Sequence, residues 1–311
     1  MQIVIPGALP DARTARELIP HLERQAPLLV GRFRSARPHA QAIDLLQTAC
    51  TAAEFWQLTR RGFTPGTNQN MSSGLGPLHA ATENNAAHDP VWLIELVHVS
   101  PSRDGAALLP ATRLSIQQDQ SLALFAAAEP VFADHGLRAR AISATRWQIW
   151  LPDTFPAHAS ASPTLVSQTR VNDWWPQDDA ARPWRRLVNE LQMTWHDHPV
   201  NRARGDMGLP PVNSVWLYGG ACPSQLVAAT EQLLEDSRLL EPFLEQDWGR
   251  WLERAGELSQ WLTPHDAKTT ELVLLGEDRI VTLQPGYWLS NLTKRLPGAQ
   301  NQWRNWWSPQ N

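Results

Sequence analysis

Lysine is almost absent from this chain of 311 residues. Of its 27 basic residues only Lys268 and Lys294 are lysines, and the formal net charge is −4. Nucleic-acid-binding domains usually present a basic face, so this charge argues against a nucleic-acid partner. The excess of arginine over lysine can follow from genome base composition, and we infer no phosphate-binding surface from it.

Cysteine and long apolar runs are also scarce. The chain has 2 cysteines, Cys50 and Cys222, too few for a clustered metal site or a disulfide framework, and this favours a reducing compartment. No run of about 18 apolar residues is present, and the N-terminus lacks the pattern of a signal peptide. With 42% hydrophobic and 19% charged residues, the composition is typical of a globular protein, and we expect it in the cytoplasm without a membrane partner.

Three well-known glycine motifs are missing. The chain contains no G-x-G-x-x-G, no G-x-x-x-x-G-K-[ST] and no G-x-S-x-G sequence. A dinucleotide site, a P-loop and a hydrolase nucleophile elbow are therefore not expected, and we predict no cofactor.

Tryptophan, in contrast, is abundant. The chain has 16, several of them in pairs or near-pairs such as Trp174–Trp175 and Trp306–Trp307. Tryptophans of this kind stack on ligands in some proteins, but they more often fill cores and interfaces. Without a basic stripe beside them, we favour core and interface packing, with self-association through a Trp-rich surface as one form of it.

Hydrophobic periodicity predicts an α/β fold. Strand-like segments occur at 3–5, 91–99, 146–152, 214–218, 271–275 and 279–284, and helical patterns at 13–25, 42–62, 121–136, 184–198, 225–235 and 246–262. Residues 63–89 are expected to form a long loop. The apolar run 214–218 is typical of a central parallel strand.

The same pattern suggests a discontinuous core. We expect residues 1–89 and 184–311 to form an α/β core domain and 90–155 a small inserted α+β domain. A Pro- and Ser-rich connecting segment, 156–183, would join them.

The densest polar stretch is WHDHPVNRARGDMGLPPVNSVWLYGGA, residues 195–221. His196 and His198 form an H-x-H pair, which puts both rings on one side of a strand but not of a helix. At a predicted helix end, capping is the favoured interpretation and a metal pair the alternative.

Two arginines and two asparagines follow the histidines. Arg202 and Arg204 could bind a phosphate or carboxylate on a rigid loop, or could hold that loop to the core. Asn201 and Asn213 flank the loop, where building turns is the usual role of asparagine. Asn201, Arg202, Arg204, Asn213 and His198 are our candidate ligand-binding residues.

The segment 189–221 resembles the signature of the RpfE-type regulatory proteins, a family distantly similar to archaeal-type cofactor-independent phosphoglycerate mutases. The matching residues are His198, Pro199, Val200, Asn201, Arg204, Gly208, Asn213, Gly219 and Gly220. The resemblance implies an alkaline-phosphatase-like fold with a mostly parallel sheet between helices and an inserted α+β domain. It also implies two divalent metals held by Asp and His, and a Ser or Thr that becomes phosphorylated.

The residues needed for that chemistry are not evident. Where the enzymes end their first strand with Asp-Gly, this chain has Pro6–Gly7. After His198 the only histidine is His265, and Asp236, Asp247, Asp266 and Asp278 have no metal-site spacing. Thr67 is the nearest candidate nucleophile, with no partner that can be named.

The sequence therefore predicts a non-catalytic phosphoglycerate-mutase-like protein with a regulatory or binding role. Its ligand would be a protein partner or a small phosphorylated or anionic molecule. The alternatives are an active metal-dependent mutase or phosphotransferase, and an interaction protein that acts through its Trp-rich surface.

Overall fold

The computed structural model describes residues 1–80, 86–103, 105–152, 155–156, 158–228, 233–265, 267, 269–285 and 301–309. Asp266, Lys268 and Lys294 lie outside these described residues. No helix within them is both long enough and apolar enough to cross a membrane.

The elements follow one another along the chain. Residues 1–48 contain β1 (Gln2–Leu9), α1 (Ala12–Gln25), α2 (Pro27–Ser35), β2 (Arg37–Ala42) and α3 (Leu45–Thr48). Then come α4 (Ala52–Arg60), α5 (Leu75–His79), β3 (Val91–Ser102), β4 (Gly105–Leu109), α6 (Gln118–Asp134), β5 (Arg138–Ala141), β6 (Arg146–Trp150), α7 (Pro163–Gln168), α8 (Arg182–His196), α9 (Pro199–Asp206) and β7 (Ser214–Ala221). The last elements are β8 (Leu233–Glu235), α10 (Leu240–Leu244), α11 (Trp248–Trp261), β9 (Glu271–Gly276), β10 (Arg279–Gln284) and α12 (Trp303–Trp307).

The chain divides into two compact units, residues 1–45 with 229–311 and residues 46–228. Each has its own buried apolar cluster. Residues 46–89 and 184–228, which the sequence-based division assigned to the core domain, belong to the second unit. For residues 184–228 the reason is that β7 forms its ladder with β3.

The first unit is built on a mixed five-stranded sheet in the order β2-β10-β9-β1-β8. β1 runs parallel to β8 and β9, whereas β10 is antiparallel to β9 and β2. The strand predicted to stop at Pro6–Gly7 continues to Leu9, because Gly7 takes a φ of +72° and the register with β9 shifts there.

The second unit has an antiparallel sheet. β3 pairs antiparallel with β4, β6 and β7, and β5 pairs antiparallel with β6. The expectation of a mostly parallel sheet is therefore wrong. A run such as 214–218 is apolar because both faces of the strand are buried, and burial does not distinguish a parallel from an antiparallel neighbour.

Other local expectations also changed. The long loop expected over 63–89 includes a 3-10 turn at Met71–Gly74 and α5. The helix expected over 225–235 is replaced at one end by a 3-10 turn, Pro223–Gln225, and at the other by β8. Residues 229–232 between them are outside the described part. β8 is a strand because it pairs with the edge of β1.

Candidate functional site

The two histidines of segment 195–221 lie where one helix ends and the next begins. His196 is the exposed last residue of α8, and His198 is the N-cap of α9. The Nδ1 atom of His198 accepts the backbone N–H of Val200 at 3.2 Å. Burial lowers the pKa of His198, which favours the neutral imidazole needed to accept this bond. His198 therefore caps the start of a helix that the sequence did not predict.

Asn201 is almost fully buried, with 6% of its surface exposed. Its Nδ2 donates to the carbonyl oxygens of Trp195 and Val212, both at 2.8 Å. Its Oδ1 accepts the N–H of Val212, also at 2.8 Å. Both amide protons are thus used inside the fold, where they fix the start of β7 against the end of α8.

Arg204 is fully buried, with 0% exposure. Its Nε donates to the carbonyl oxygen of Pro210 at 2.9 Å and its Nη2 to that of Leu114 at 2.6 Å. Its Nη1 donates to Oε1 of Gln120 at 3.0 Å. The guanidinium fork therefore fastens the loop after α9 to the segment before and within α6.

Asn213 is hydrogen-bonded within the sheet, whereas Arg202 is exposed. The side-chain amide of Asn213 pairs with both the N–H and the carbonyl of Val99, each at 2.8 Å, and so extends the β3–β7 ladder by one position. Arg202 is exposed, and its Nη2 is 3.9 Å from Oδ1 of Asp197. The structure thus places Arg202 on the surface and Arg204 in the interior, and the two do not form a pair around one anion.

The glycines at the end of the segment allow close packing. A Cβ atom on Gly219 would lie 2.5 Å from the carbonyl oxygen of Val91, and one on Gly76 would lie 2.1 Å from the same oxygen. Gly219 also has a φ of +100°. These glycines let β7, α5 and β3 approach one another, which explains them without a phosphate ligand.

The carboxyl end of β1 does not fit the two-metal group that the family resemblance implies. Pro6 and Gly7 are buried there, and the carbonyl oxygen of Gly7 accepts the indole N–H of Trp251 at 2.8 Å. A Cβ atom on Gly7 would lie 2.9 Å from the carbonyl oxygen of Leu239 and 3.0 Å from Cβ of Phe243. Within the described part of the chain, no group of three or more His, Cys, Asp or Glu side chains is arranged to hold a metal ion.

The acidic residues of the C-terminal third are engaged in local structure. Asp236 accepts a hydrogen bond from Nε of Arg238 at 2.8 Å. Asp278 pairs with Nη1 of Arg279, also at 2.8 Å. Asp247 caps α11. None of these hydrogen bonds is with a histidine. Asp278 does act on a second carboxylate, that of Glu277, whose pKa is raised by burial and by the charges of Asp278 and Asp11.

The remaining two candidates are not near a catalytic partner. Thr67 is exposed in the turn between α4 and the 3-10 turn, and no described residue forms a hydrogen bond with its hydroxyl. His265 lies against Trp261 in the first unit, with ring centroids 4.7 Å apart.

A buried group of ionisable residues in the second unit was not predicted. Glu95 and Arg146 pair across β3 and β6 with Nε and Oε2 3.3 Å apart. Nδ1 of His79 is 3.2 Å from the hydroxyl of the fully buried Tyr218. Burial, reinforced by the charge of Arg146, lowers the pKa of His79 to about 3. Burial also raises the pKa of Glu95, against the opposing effect of Arg146.

The second unit also contains an open groove, which we call the tryptophan groove. It runs along the segment between α7 and α8 and over the middle of β7. Its lining includes Pro156, His158, Ser160, Trp174, Trp175, Pro176, Trp184 and Trp216.

The indole N–H groups in the groove fall into two pairs. Nε1 of Trp216 donates to the carbonyl of Ala161, and Nε1 of Trp174 donates to the hydroxyl of Thr169, both at 2.9 Å. Trp175 and Trp184 have no acceptor in the described part of the chain. Their nitrogens are not sealed from solvent either, although Trp184 is only 6% exposed.

The groove carries little charge. Its lining has no Lys, Arg, Asp or Glu among the described residues, and His158 pairs with Oδ1 of Asp178 at 3.4 Å. Sequence reasoning missed this site because Trp174–Trp175 lies in what was interpreted as a connection. The signal was a tryptophan pair followed by proline inside a polar segment, since such rings must pack back onto a neighbouring element.

Comparison with known proteins gives a limited likeness. No family model matches this chain. A 55-residue stretch is 38% identical to the 2,3-bisphosphoglycerate-independent phosphoglycerate mutase of Methanothrix thermoacetophila. That match covers 17% of this chain and 14% of the relative, so only a small part of the relative's length is represented.

Two solved structures are similar over most of the chain. One, a protein from Pyrococcus horikoshii, has a TM-score of 0.44 at 12% identity and covers 92% of this chain and 87% of its own. The other is a cofactor-independent phosphoglycerate mutase from Thermoplasma acidophilum, with a TM-score of 0.37, 12% identity and coverage of 98% and 97%. The chain is similar to phosphoglycerate mutase family members. Its own strands and helices form a mixed α/β structure.

Proposed function

We propose that this chain is a non-catalytic phosphoglycerate-mutase-like protein, of the RpfE-type regulatory kind, that acts by binding a partner. The observation that carries the proposal is how the segment resembling the mutase signature uses its polar side chains. Asn201, Arg204 and Asn213 direct their hydrogen bonds to backbone and side-chain groups of the same unit. Side chains used in this way support a fold and are not free to bind a substrate.

The proposal places binding at the tryptophan groove rather than at the arginine loop. Of the five candidate ligand-binding residues, Arg202 is exposed and His198 is half-buried but capping α9. A single exposed arginine gives an anion little specificity, because its charge is screened by water and salt. The groove, in contrast, offers apolar area together with two hydrogen-bond donors that lack acceptors.

The alternative is an active metal-dependent mutase or phosphotransferase. It is supported by the 38% identity over 55 residues to a named mutase. The carboxyl end of β1 argues against an active metal-dependent enzyme, since Pro6 and Gly7 offer no side-chain ligand there.

Turnover measurements separate the two functions. Purified protein, supplied with Mn²⁺ or Zn²⁺, would be assayed for interconversion of 3- and 2-phosphoglycerate and for phosphate-monoester hydrolysis. We expect no turnover above that of a Thr67→Ala variant and no stoichiometric divalent ion by metal analysis. Metal-dependent turnover that Thr67→Ala abolishes would overturn the proposal.

A further inference from the structure

We propose that one face of the β5–β6 hairpin binds a small ligand that carries two adjacent phosphate groups. Arg138 and Arg140 on β5 and Arg146 on β6 form this surface, which we call the arginine face. The inference goes beyond the proposed function, because it assigns a second site that does not depend on the tryptophan groove. It follows from the orientation, the charge and the anchoring of the three guanidinium groups.

The register of the hairpin determines which way the arginines point. Arg138 is paired with Trp150 across the hairpin, and Arg140 with Gln148. Because side chains alternate along a strand, Arg138 and Arg140 share one face of the sheet with Arg146, Gln148 and Trp150. The residues between them pack into the apolar cluster on the other face of the sheet: Ala139, Ala141, Trp147 and Ile149. The arginine face is therefore turned away from α6 and its core.

The arginine face carries an excess of positive charge. Oε2 of Glu95 accepts a hydrogen bond from Nε of Arg146 at 3.3 Å. In the described part of the chain, no other carboxylate forms an ion pair with any of the three arginines. Guanidinium groups stay charged at every physiological pH, so three cations are matched by one anion. Like charges held close together repel one another, and a bound anion would relieve this repulsion.

Arg140 makes the excess charge costly. This side chain is half-buried, and its Nε is sealed from solvent without an acceptor. Its Nη2 donates to Oε1 of Gln148 at 2.9 Å, which is a neutral acceptor. A cation withdrawn from water needs a counter-ion, and the described residues supply none here. Nη1 of Arg140 has no acceptor among them either, and it is not one of the sealed nitrogens, so a ligand can supply the missing anion.

The three guanidinium groups are held in place by neighbouring side chains. The guanidinium carbons of Arg138 and Arg140 lie 5.6 and 5.8 Å from the ring centroid of Trp150, within the range of cation–π contacts. Arg146 is fixed at its Nε by Glu95, which is only 4% exposed. Side chains that are already fixed lose little conformational entropy when a ligand binds. This anchoring distinguishes the arginine face from an isolated surface arginine.

The spacing of the arginines indicates the class of ligand. Positions two apart on a strand are about 7 Å apart, and diagonal neighbours on paired strands about 7–8 Å. Arg140 is two positions from Arg138 and diagonal to Arg146, so it lies between them. Two adjacent phosphate groups can each contact Arg140 and one of its neighbours, whereas a single phosphate cannot reach all three.

Charge excludes other anions. A phosphate group carries more negative charge and more acceptor oxygens than a carboxylate, so it uses the excess of donors better. A nucleic-acid strand needs a longer basic track than three arginines, and the chain as a whole has a net charge of −4. A small diphosphate is the ligand that fits both the extent and the charge of the face.

The test is a titration with inorganic pyrophosphate, followed by calorimetry and by the indole N–H resonance of Trp150 in ¹⁵N-labelled protein. We expect pyrophosphate to shift this resonance and to bind at least about tenfold more tightly than orthophosphate or malonate. Arg140→Met should weaken pyrophosphate binding at least about tenfold, which corresponds to about 1.4 kcal/mol. Arg140→Lys, which keeps the charge but removes the guanidinium fork, should lie between Arg140→Met and the unchanged protein.

Arg113→Met is the matched control, since Arg113 is also exposed and has no ion pair in the described part, but lies outside the arginine face. It should leave the affinity unchanged, and the melting temperatures of all variants would show that they fold. Pyrophosphate binding that Arg140→Met does not weaken, or that Arg113→Met weakens equally, would overturn the inference. So would a failure of pyrophosphate to bind. Orthophosphate or malonate binding as tightly as pyrophosphate would overturn the assignment to a diphosphate.

Discussion

Tryptophan serves different purposes in the apolar cluster of the first unit and in the tryptophan groove of the second. In the first unit, Trp251, Trp303 and Trp307 are at most 2% exposed and pack in one apolar cluster. In the second unit, four tryptophans line an open groove, and Trp175 and Trp184 keep accessible indole donors. Tryptophan therefore fills the core in the apolar cluster of the first unit, and it forms part of an accessible surface in the tryptophan groove.

The difference follows from the elements that carry the rings. Trp251 and Trp307 lie on α11 and α12, and their indole N–H groups reach the carbonyls of Gly7 and Ala15 at 2.8 and 3.2 Å. Trp303 has no acceptor in the described part but is closed off from solvent. Trp174 and Trp175 instead lie in the irregular stretch before α8 and line the tryptophan groove. The exposure of the indole rings to solvent, more than the number of their N–H groups that have acceptors, distinguishes the groove from the core.

The largest effect should come from Trp251→Ala. This change removes a fully buried ring and leaves a cavity, so we expect the free energy of unfolding to fall by about 3–5 kcal/mol in urea denaturation. Trp175→Ala, in the groove, should cost about 1 kcal/mol or less. Equal losses for the two variants would remove the contrast between core and groove.

Arg204→Met should have the next largest effect. It leaves the carbonyls of Pro210 and Leu114 buried without their donor, at roughly 1–3 kcal/mol for each unpaired group, so we expect a loss of about 3 kcal/mol. Arg202→Met, two residues earlier and exposed, should change stability by less than about 0.5 kcal/mol. Thermal melts of both variants check this. An Arg204→Met protein as stable as the unchanged protein would favour a role of Arg204 in anion binding over a role in the fold.

At neutral pH the smallest effect belongs to His79, because its contribution is a pH dependence that appears in acid. Its pKa in the folded protein is about 3, below the ordinary value of 6.5, so over this interval the unfolded chain binds a proton that the folded chain does not. Stability should therefore fall as the pH is lowered from 6.5 towards 3. His79→Asn keeps a hydrogen-bonding side chain beside Tyr218 and should flatten this dependence, whereas the exposed His196→Asn should not. The opposite contribution of Glu95, whose pKa is raised, is shared by all variants and cancels in the comparison.

Much of the local structure could be predicted from periodicity. The buried face of α8, with Trp184, Leu187, Val188, Leu191 and Trp195, follows directly from its spacing. Pairing partners could not be predicted, because an apolar run such as 214–218 is compatible with parallel and antiparallel neighbours alike. The antiparallel ladder of β3 and β7 depends on contacts between residues more than 100 positions apart.

The candidate site was harder to predict. Asn201, Arg204 and Asn213 are the residue types that bind anions, but they are also the types that satisfy buried carbonyls, and sequence does not say which groups lie opposite. Only the burial of these side chains and their hydrogen-bond distances distinguish a role in anion binding from a role in the fold. The tryptophan groove depends on the path of residues 169–181, which have no periodicity.

The buried end of β1 determines what it would cost to engineer a metal ligand into this chain there. A single substitution, Pro6→Asp, would put a carboxylate into a buried position of a strand, beside a glycine whose carbonyl oxygen accepts the indole N–H of Trp251. An unpaired charge there is strongly destabilising, so the first step of such a path costs stability before any metal can bind. A carboxylate on the next residue, Gly7, would in addition require α10 to move, because a Cβ atom there lies 2.9 Å from the carbonyl oxygen of Leu239.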